Sequence, residues 1–239
     1  MSLRIGLDID GVLADFRSAF HEAAQRCLRH DIHDVDDPKS ADALADRDVK
    51  KVWDYIARVT NWWMHLRAYE PDQVARLYDL TRAATWEVFF LTNRPASAGD
   101  SVQFQTQWWL ERQGFYLPSV VTVPGSRGEL ANALRLDLVV DDLMLNCIEV
   151  VSGSPAKAVL MLRDGNDTTR RHAIDRGIGV VSDLADAIGV LEQVHDLLPR
   201  RRGRLVRLTD WFKPSAIHAD TLPHNPRIIR PLPDTKAGG

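Results

Sequence analysis

Cysteine is nearly absent from this chain: Cys27 and Cys147 are the only two in 239 residues. So sparse and distant a pair supports neither a disulfide framework nor a CxxC metal site. No apolar run approaches the length of a membrane span. Nor is there an excess of positive charge, the formal net being −3, so the chain as a whole is not a polycation seeking nucleic acid or anionic lipid. A phosphate-cradling glycine-rich loop, a zinc spacing and an internal repeat are missing as well. The opening MSLRIGLDID enters an apolar strand almost at once, without a signal-peptide pattern. The expectation is a cytoplasmic protein that does not engage membranes. What remains is ordinary globular material, 45% hydrophobic and 26% charged, enough to bury a sizeable core.

Short apolar runs recur along the chain, at 3–9, 86–91, 120–123, 138–140, 158–162 and 179–181. Helix-like segments at 100–113, 127–134, 168–176 and 184–194 separate the later ones, and Gly114 and Gly177 stand where helices stop. Strands alternating with helices predict an α/β fold with a doubly wound, Rossmann-like parallel sheet. In such sheets ligands bind beyond the carboxyl ends of the strands, near a topological switch point.

The stretch between the first two strands is too long for one crossover. Helices are expected at 15–29, 48–59 and 71–84, the last with Pro71 in its first turn. The organisation read from this is a core of 1–14 and 86–198, a small helical cap at 15–85, and a tail at 199–239. Within the insertion, Trp62, Trp63, His65 and Tyr69 cluster. They are candidates for a substrate-pocket wall, or for packing the inserted helices onto the sheet. In the tail, Lys and Arg exceed Asp by six, leaving −9 for residues 1–198, and six prolines accompany little periodicity. An extended basic segment is expected there. Its charge leaves three roles open: lying on the acidic body, touching nucleic acid, or joining a second copy of the chain.

Chemistry-bearing residues sit where strands end. Asp8 and Asp10 close the first apolar run, two residues apart and followed by Gly11. Two carboxylates so close repel each other and are costly to bury without a partner. The second run ends in Thr92, Asn93 and Arg94, where a hydroxyl, free backbone N–H groups and a guanidinium could hold a phosphate. The fourth ends in a second acidic pair, Asp141 and Asp142. Two such pairs at two strand ends suit a hard cation such as Mg²⁺, which takes oxygen ligands and keeps bound waters.

Together, LDIDGVL, FFLTNRP and VVDD followed by Asn146 resemble the motifs of the haloacid dehalogenase-like (HAD) superfamily of aspartate-nucleophile phosphohydrolases. The order and spacing cover residues 3–195. TNRP and the small helical cap look most similar to the 5′(3′)-deoxyribonucleotidase-like group. That resemblance implies Asp8 as nucleophile, forming an aspartyl-phosphate, and Asp10 as the proton shuttle. It implies Mg²⁺ held by the Asp8 carboxylate, the Asp10 carbonyl and Asp142, with Asp141 acting through water. It also implies phosphate contacts from Thr92, Asn93 and Arg94. One departure stands out: the family's third motif supplies a lysine, and the best-placed cation here is Arg127, which is planar and bulkier. The function expected is a Mg²⁺-dependent phosphomonoesterase acting on a small phosphorylated metabolite, with nucleoside monophosphates in view. The alternatives are a phosphatase of nucleic-acid ends that uses the tail, or a phosphate-binding scaffold that has lost catalysis.

Overall fold

A computed structural model of the protein describes residues 2–28, 46–122 and 125–197. Six strands, β1 (Arg4–Asp8), β2 (Glu87–Thr92), β3 (Ser119–Thr122), β4 (Leu138–Asp141), β5 (Lys157–Met161) and β6 (Gly179–Val181), fall within one residue of their expected ends. All neighbours pair in parallel, in the order β3-β2-β1-β4-β5-β6. The tail at 199–239, the end of the first expected helix and Val123 lie outside the described residues.

Strand residues alternate between two cores, as a period of two requires. Ile5, Leu7, Phe90, Leu138, Val140, Val159 and Met161 face one side. Leu91, Val139, Ala158 and Leu160 face the other. Helices cover both faces, so the strands read as near-continuous apolar runs in sequence. Helices α1 (Phe16–Leu28), α2 (Asp46–Arg58) and α3 (Pro71–Ala83) lie between β1 and β2, with a 3-10 turn at Trp62–His65. In α2, Val49, Val52 and Ile56 are buried at helical spacing while Lys50, Lys51 and Asp54 are exposed. These elements share one continuous core with the first sheet face.

Beyond β2 run α4 (Val102–Arg112), α5 (Arg127–Ala133), α6 (Met144–Gly153), α7 (Asp167–Asp175) and α8 (Leu184–Leu197). Of these, α6 was not among the helices picked out above. Its sequence MLNCIEVVSG is short and apolar on most sides, a pattern periodicity cannot assign. No described helix is long and apolar enough to cross a membrane.

Strand order decides where the site forms. From β1 the chain winds outward through β2 and β3, then crosses to β4 on the other side of β1. The switch point therefore lies between β1 and β4. Leu7 pairs with Val140, so the next residues, Asp8 and Asp141, come level at the carboxyl ends. After β1 the chain folds into a tight turn: Leu13 and Ala14 both donate to the Ile9 carbonyl at 2.8 Å, and Gly11 donates to Ala14 at 2.9 Å. Gly11 adopts φ +87°, and a Cβ there would lie 2.0 Å from Asp142 Oδ2. A side chain at Gly11 would thus meet both backbone strain and a carboxylate. Gly11→Ala is expected to cost about 1–3 kcal/mol, lowering Tm by roughly 2–10 °C in a chain of this size. A thermal melt checks it, and an unchanged Tm would contradict this account of the turn.

Candidate active site

The two carboxylates that open the chain are not held by a shared partner. Asp8, 7% exposed, accepts from Arg127 Nη2 at 2.7 Å. Asp10, in the turn beyond, is gripped bidentately by Arg94, with Nε to Oδ2 at 2.9 Å and Nη2 to Oδ1 at 2.8 Å. Each acid is thus compensated separately, which is how the turn tolerates both.

Arg94 is no surface residue, its side chain being fully buried. Nη1 donates to the buried Thr106 hydroxyl at 3.0 Å, and Cζ sits 4.7 Å from the centroid of Trp63. The expected bidentate grip on an anion exists, but the anion gripped is Asp10. Trp63 is itself fixed, its indole N–H donating to the Pro95 carbonyl at 2.9 Å and its backbone N–H to Gln105 Oε1 at 3.2 Å.

Arg127 opens α5, where the Ser126 side chain caps the helix by accepting from Gly128 N. Only 5% exposed, it reaches under the sheet end to Asp8 and places Nε 3.4 Å from Asp141 Oδ2. Burial disfavours its charge, but Asp8 and then Asp141 outweigh that and raise its pKa. Arg127 therefore contacts both Asp8 and Asp141.

Asp141 and Asp142 play different parts. Asp141 is fully buried and saturated: both oxygens accept from Asn146 Nδ2 at 2.9 and 3.0 Å, and Oδ1 also accepts from Leu143 N at 2.9 Å. Asp142, half-buried, lies against Gly11 and borders the cavity. Burial, then the charge of Asp141, pushes the Asp8 and Asp142 carboxyls well above their usual range. Burial also raises Asp141, with Arg127 opposing.

These four carboxylates face two guanidiniums, an excess of two negative charges. Among the described residues no three His, Cys, Asp or Glu side chains converge as a ready-made metal cage. A site of two carboxylates, one carbonyl and waters needs no such cage. The donor set and the charge deficit both fit a hard divalent cation.

A pH dependence follows. Asp8, Asp141 and Asp142 bind protons more readily folded than unfolded, so stability falls as pH rises from the usual carboxyl value of 3.8 upward. In chelator, Tm is expected to be higher at pH 5.5 than at 7.5. Added Mg²⁺ should raise it more at 7.5, where the acids are ionised. Equal Mg²⁺ effects at both pH values would refute the charge deficit.

A cavity of about 680 Å³ opens above these groups, within the usual range for small-ligand sites. Asp8, Asp10, Thr92, Asn93, Arg94, Arg127 and Asp142 all border it. Thr92 is buried and Asn93 exposed. Of the two roles left open for the aromatic cluster, packing takes most of the rings. Trp62 is 8% exposed, packs edge-on to Trp63 and Phe16, and does not line the cavity. His65 points to solvent elsewhere. Trp63 borders the cavity but is only 1% exposed, being packed between Arg94 and its neighbouring rings. The 3-10 turn spends its rings on the core; Tyr69, the fourth ring of the cluster, does line the wall, and Trp53 of α2 joins it. Trp53 stacks on Phe16 at 5.8 Å, which α2's spacing alone could not reveal.

Arg163, just past β5, was also missed. It donates to the carbonyls of Gly11 at 3.2 Å and Val12 at 2.8 Å, pairs with Glu70 at 3.0 Å, and lies over the Tyr69 ring at 4.0 Å. It ties the β1 turn to the start of α3. No local signal marks it beyond its place after a strand end.

With this geometry in view, solved structures give the fold its place. A HAD family hydrolase from Deinococcus radiodurans R1, with bound phosphate and sodium, matches at TM-score 0.52 and 12% identity, over 90% of this chain and 99% of that one. The fold is that of the HAD hydrolases. A phosphonoacetaldehyde hydrolase-like protein from Oleispira antarctica matches at TM-score 0.52 and 18% identity, over 85% and 95% of the two chains. A β-phosphoglucomutase-like protein from Thermotoga maritima matches at TM-score 0.54 and 14% identity, over 80% and 99%. No protein-family model matches the chain, and no curated protein is similar enough in sequence to be matched. The HAD fold hosts several chemistries, so activity has to be argued from the site.

Proposed function

We propose that the chain is a Mg²⁺-dependent phosphomonoesterase working through an aspartyl-phosphate on Asp8. Its substrates are small phosphorylated metabolites, with nucleoside monophosphates as one class. The observation that carries this reading is the Asp8 environment: one oxygen held by Arg127, the group bordering a cavity, and a deficit of two positive charges around it. The similarity to a phosphate-bound HAD hydrolase adds support by analogy.

Asp8 attacks phosphorus through the oxygen that Arg127 leaves free, while the bond to the leaving oxygen breaks. For Asp10 to give a proton to that oxygen, and then take one from the water that cleaves the acyl phosphate, it has to leave the Arg94 fork, which holds it as a carboxylate. Thr92 and the N–H groups near Asn93 hold non-bridging oxygens. Asp8, the Asp10 carbonyl and Asp142 would hold the metal, with Asp141 supporting. The ion, when bound, offsets the repulsion between an anionic nucleophile and an anionic phosphate. Helices α1 to α3 act as a cap, their residues forming the wall opposite the strand ends.

The test is phosphate release from nucleoside monophosphates, sugar phosphates and an aryl phosphate, with Mg²⁺ and with chelator. Release that needs Mg²⁺ is expected. No release from any ester, with Mg²⁺ still raising Tm, would leave a phosphate-binding protein instead.

A further inference from the structure

Four arginines border the cavity, and three have acidic partners. Arg94 is held by Asp10, Arg127 by Asp8 and Asp141, and Arg163 by Glu70. Arg17, exposed in the first turn of α1, makes no ion pair among the described residues. Its nearest acid in sequence, Asp15, is engaged elsewhere: Oδ1 accepts from Ser18 N at 3.1 Å, and the side chain bonds Tyr69.

Arg17's surroundings would otherwise reject a second anion. Asp15, Glu149 and Asp164 border the same cavity, so a negatively charged leaving group would meet repulsion on most sides. A guanidinium without an ion-pair partner among the described residues reverses that sign locally and offers a planar fork suited to a carboxylate or phosphate. Trp53 lines the same cavity, and its buried indole N–H has no acceptor among the described residues. The Arg17 guanidinium gains nothing from an apolar leaving group and only neutral acceptors from a hydroxylated one. An anionic one gives it a charged partner.

We infer that Arg17 is a specificity-determining residue that selects phosphomonoesters whose leaving group carries a second acidic group, a carboxylate or another phosphate. This rests on the phosphatase reading above and narrows it away from nucleoside monophosphates, whose leaving group is uncharged. The phosphate that is cleaved is met by Asp8, Thr92 and the metal ligands; Arg17 meets the far end of the substrate.

The full-length protein is assayed in Mg²⁺ with phenyl phosphate and 4-carboxyphenyl phosphate, which differ in the distal carboxylate. The native chain is expected to prefer the carboxylated ester by kcat/KM. In Arg17→Gln that preference falls about 10- to 100-fold, the range of a hydrogen bond to a charged group, chiefly through KM. Arg17→Lys restores part of it. Arg17 is exposed, so neither variant endangers folding. An equal fall for both esters would assign Arg17 to the transferred phosphate and overturn the inference. No change in either would show a solvated arginine and overturn it too. Turnover of both by the native chain without preference sinks the inference and leaves the phosphatase standing, whereas no turnover of either sinks the phosphatase reading itself.

Discussion

Asp8→Asn is expected to lower Mg²⁺-dependent phosphate release by a factor on the order of 10⁴ or more, the scale seen when a nucleophile is removed. The amide matches the carboxyl in shape but cannot form the acyl phosphate. Folding should survive. Burial and the charge of Asp141 push the Asp8 carboxyl well up in its range, so a neutral amide removes repulsion at that position. Arg127 keeps Asp141 as a partner. Tm in chelator should therefore hold or rise, while the Mg²⁺-induced gain shrinks because one ligand is lost. Activity retained in this variant would remove Asp8 from the nucleophile's role. Asp10→Asn offers a contrast: it should hurt alkyl phosphates more than aryl phosphates, whose leaving oxygen departs without a proton.

Arg127→Ala is the substitution with the largest expected effect on stability. It leaves Asp8 and Asp141 buried side by side with no cation between them. Breaking a buried pair by removing one partner costs about 3–5 kcal/mol, a large fraction of a typical folding free energy. The sign of its pH dependence is fixed. Without the guanidinium both carboxyls bind protons still more readily in the folded state, so the deficit should shrink as pH falls from 7.5 to 5.5. Arg127→Lys keeps one charge but cannot fork between two carboxylates, so a smaller deficit is expected. Denaturant unfolding in chelator at the two pH values measures all of this. A deficit that is absent, or the same at both pH values, would show that Arg127 does not neutralise the pair.

Much of the fold was legible because strands buried on both faces write themselves as short apolar runs, and glycines mark helix ends. The acidic pairs were legible for a related reason: ionisable residues directly after an apolar run stand out against it. Asp8, Asp10, Thr92, Asn93, Arg94, Arg127 and Asp142 all come to one cavity. The aromatic segment stayed ambiguous, since WW on a short turn looks the same whether its rings line a pocket or fill a core. Trp62 and Trp63 fill the core because Phe16 lies against both and Arg94 covers Trp63.

The sequence by itself determined the parallel sheet, the order of its elements and which residue types wait at the strand ends, because these depend on hydrophobic period and local turn chemistry. Only the tertiary structure decided the partners. Strand order set β4 beside β1 and so brought Asp141 level with Asp8 across more than a hundred residues. Packing then decided that Arg94 closes on Asp10, that Arg127 spans Asp8 and Asp141, and that Arg17 is left facing the cavity. Each of these is a long-range pairing of charges, chosen by geometry and burial rather than by neighbours in the chain.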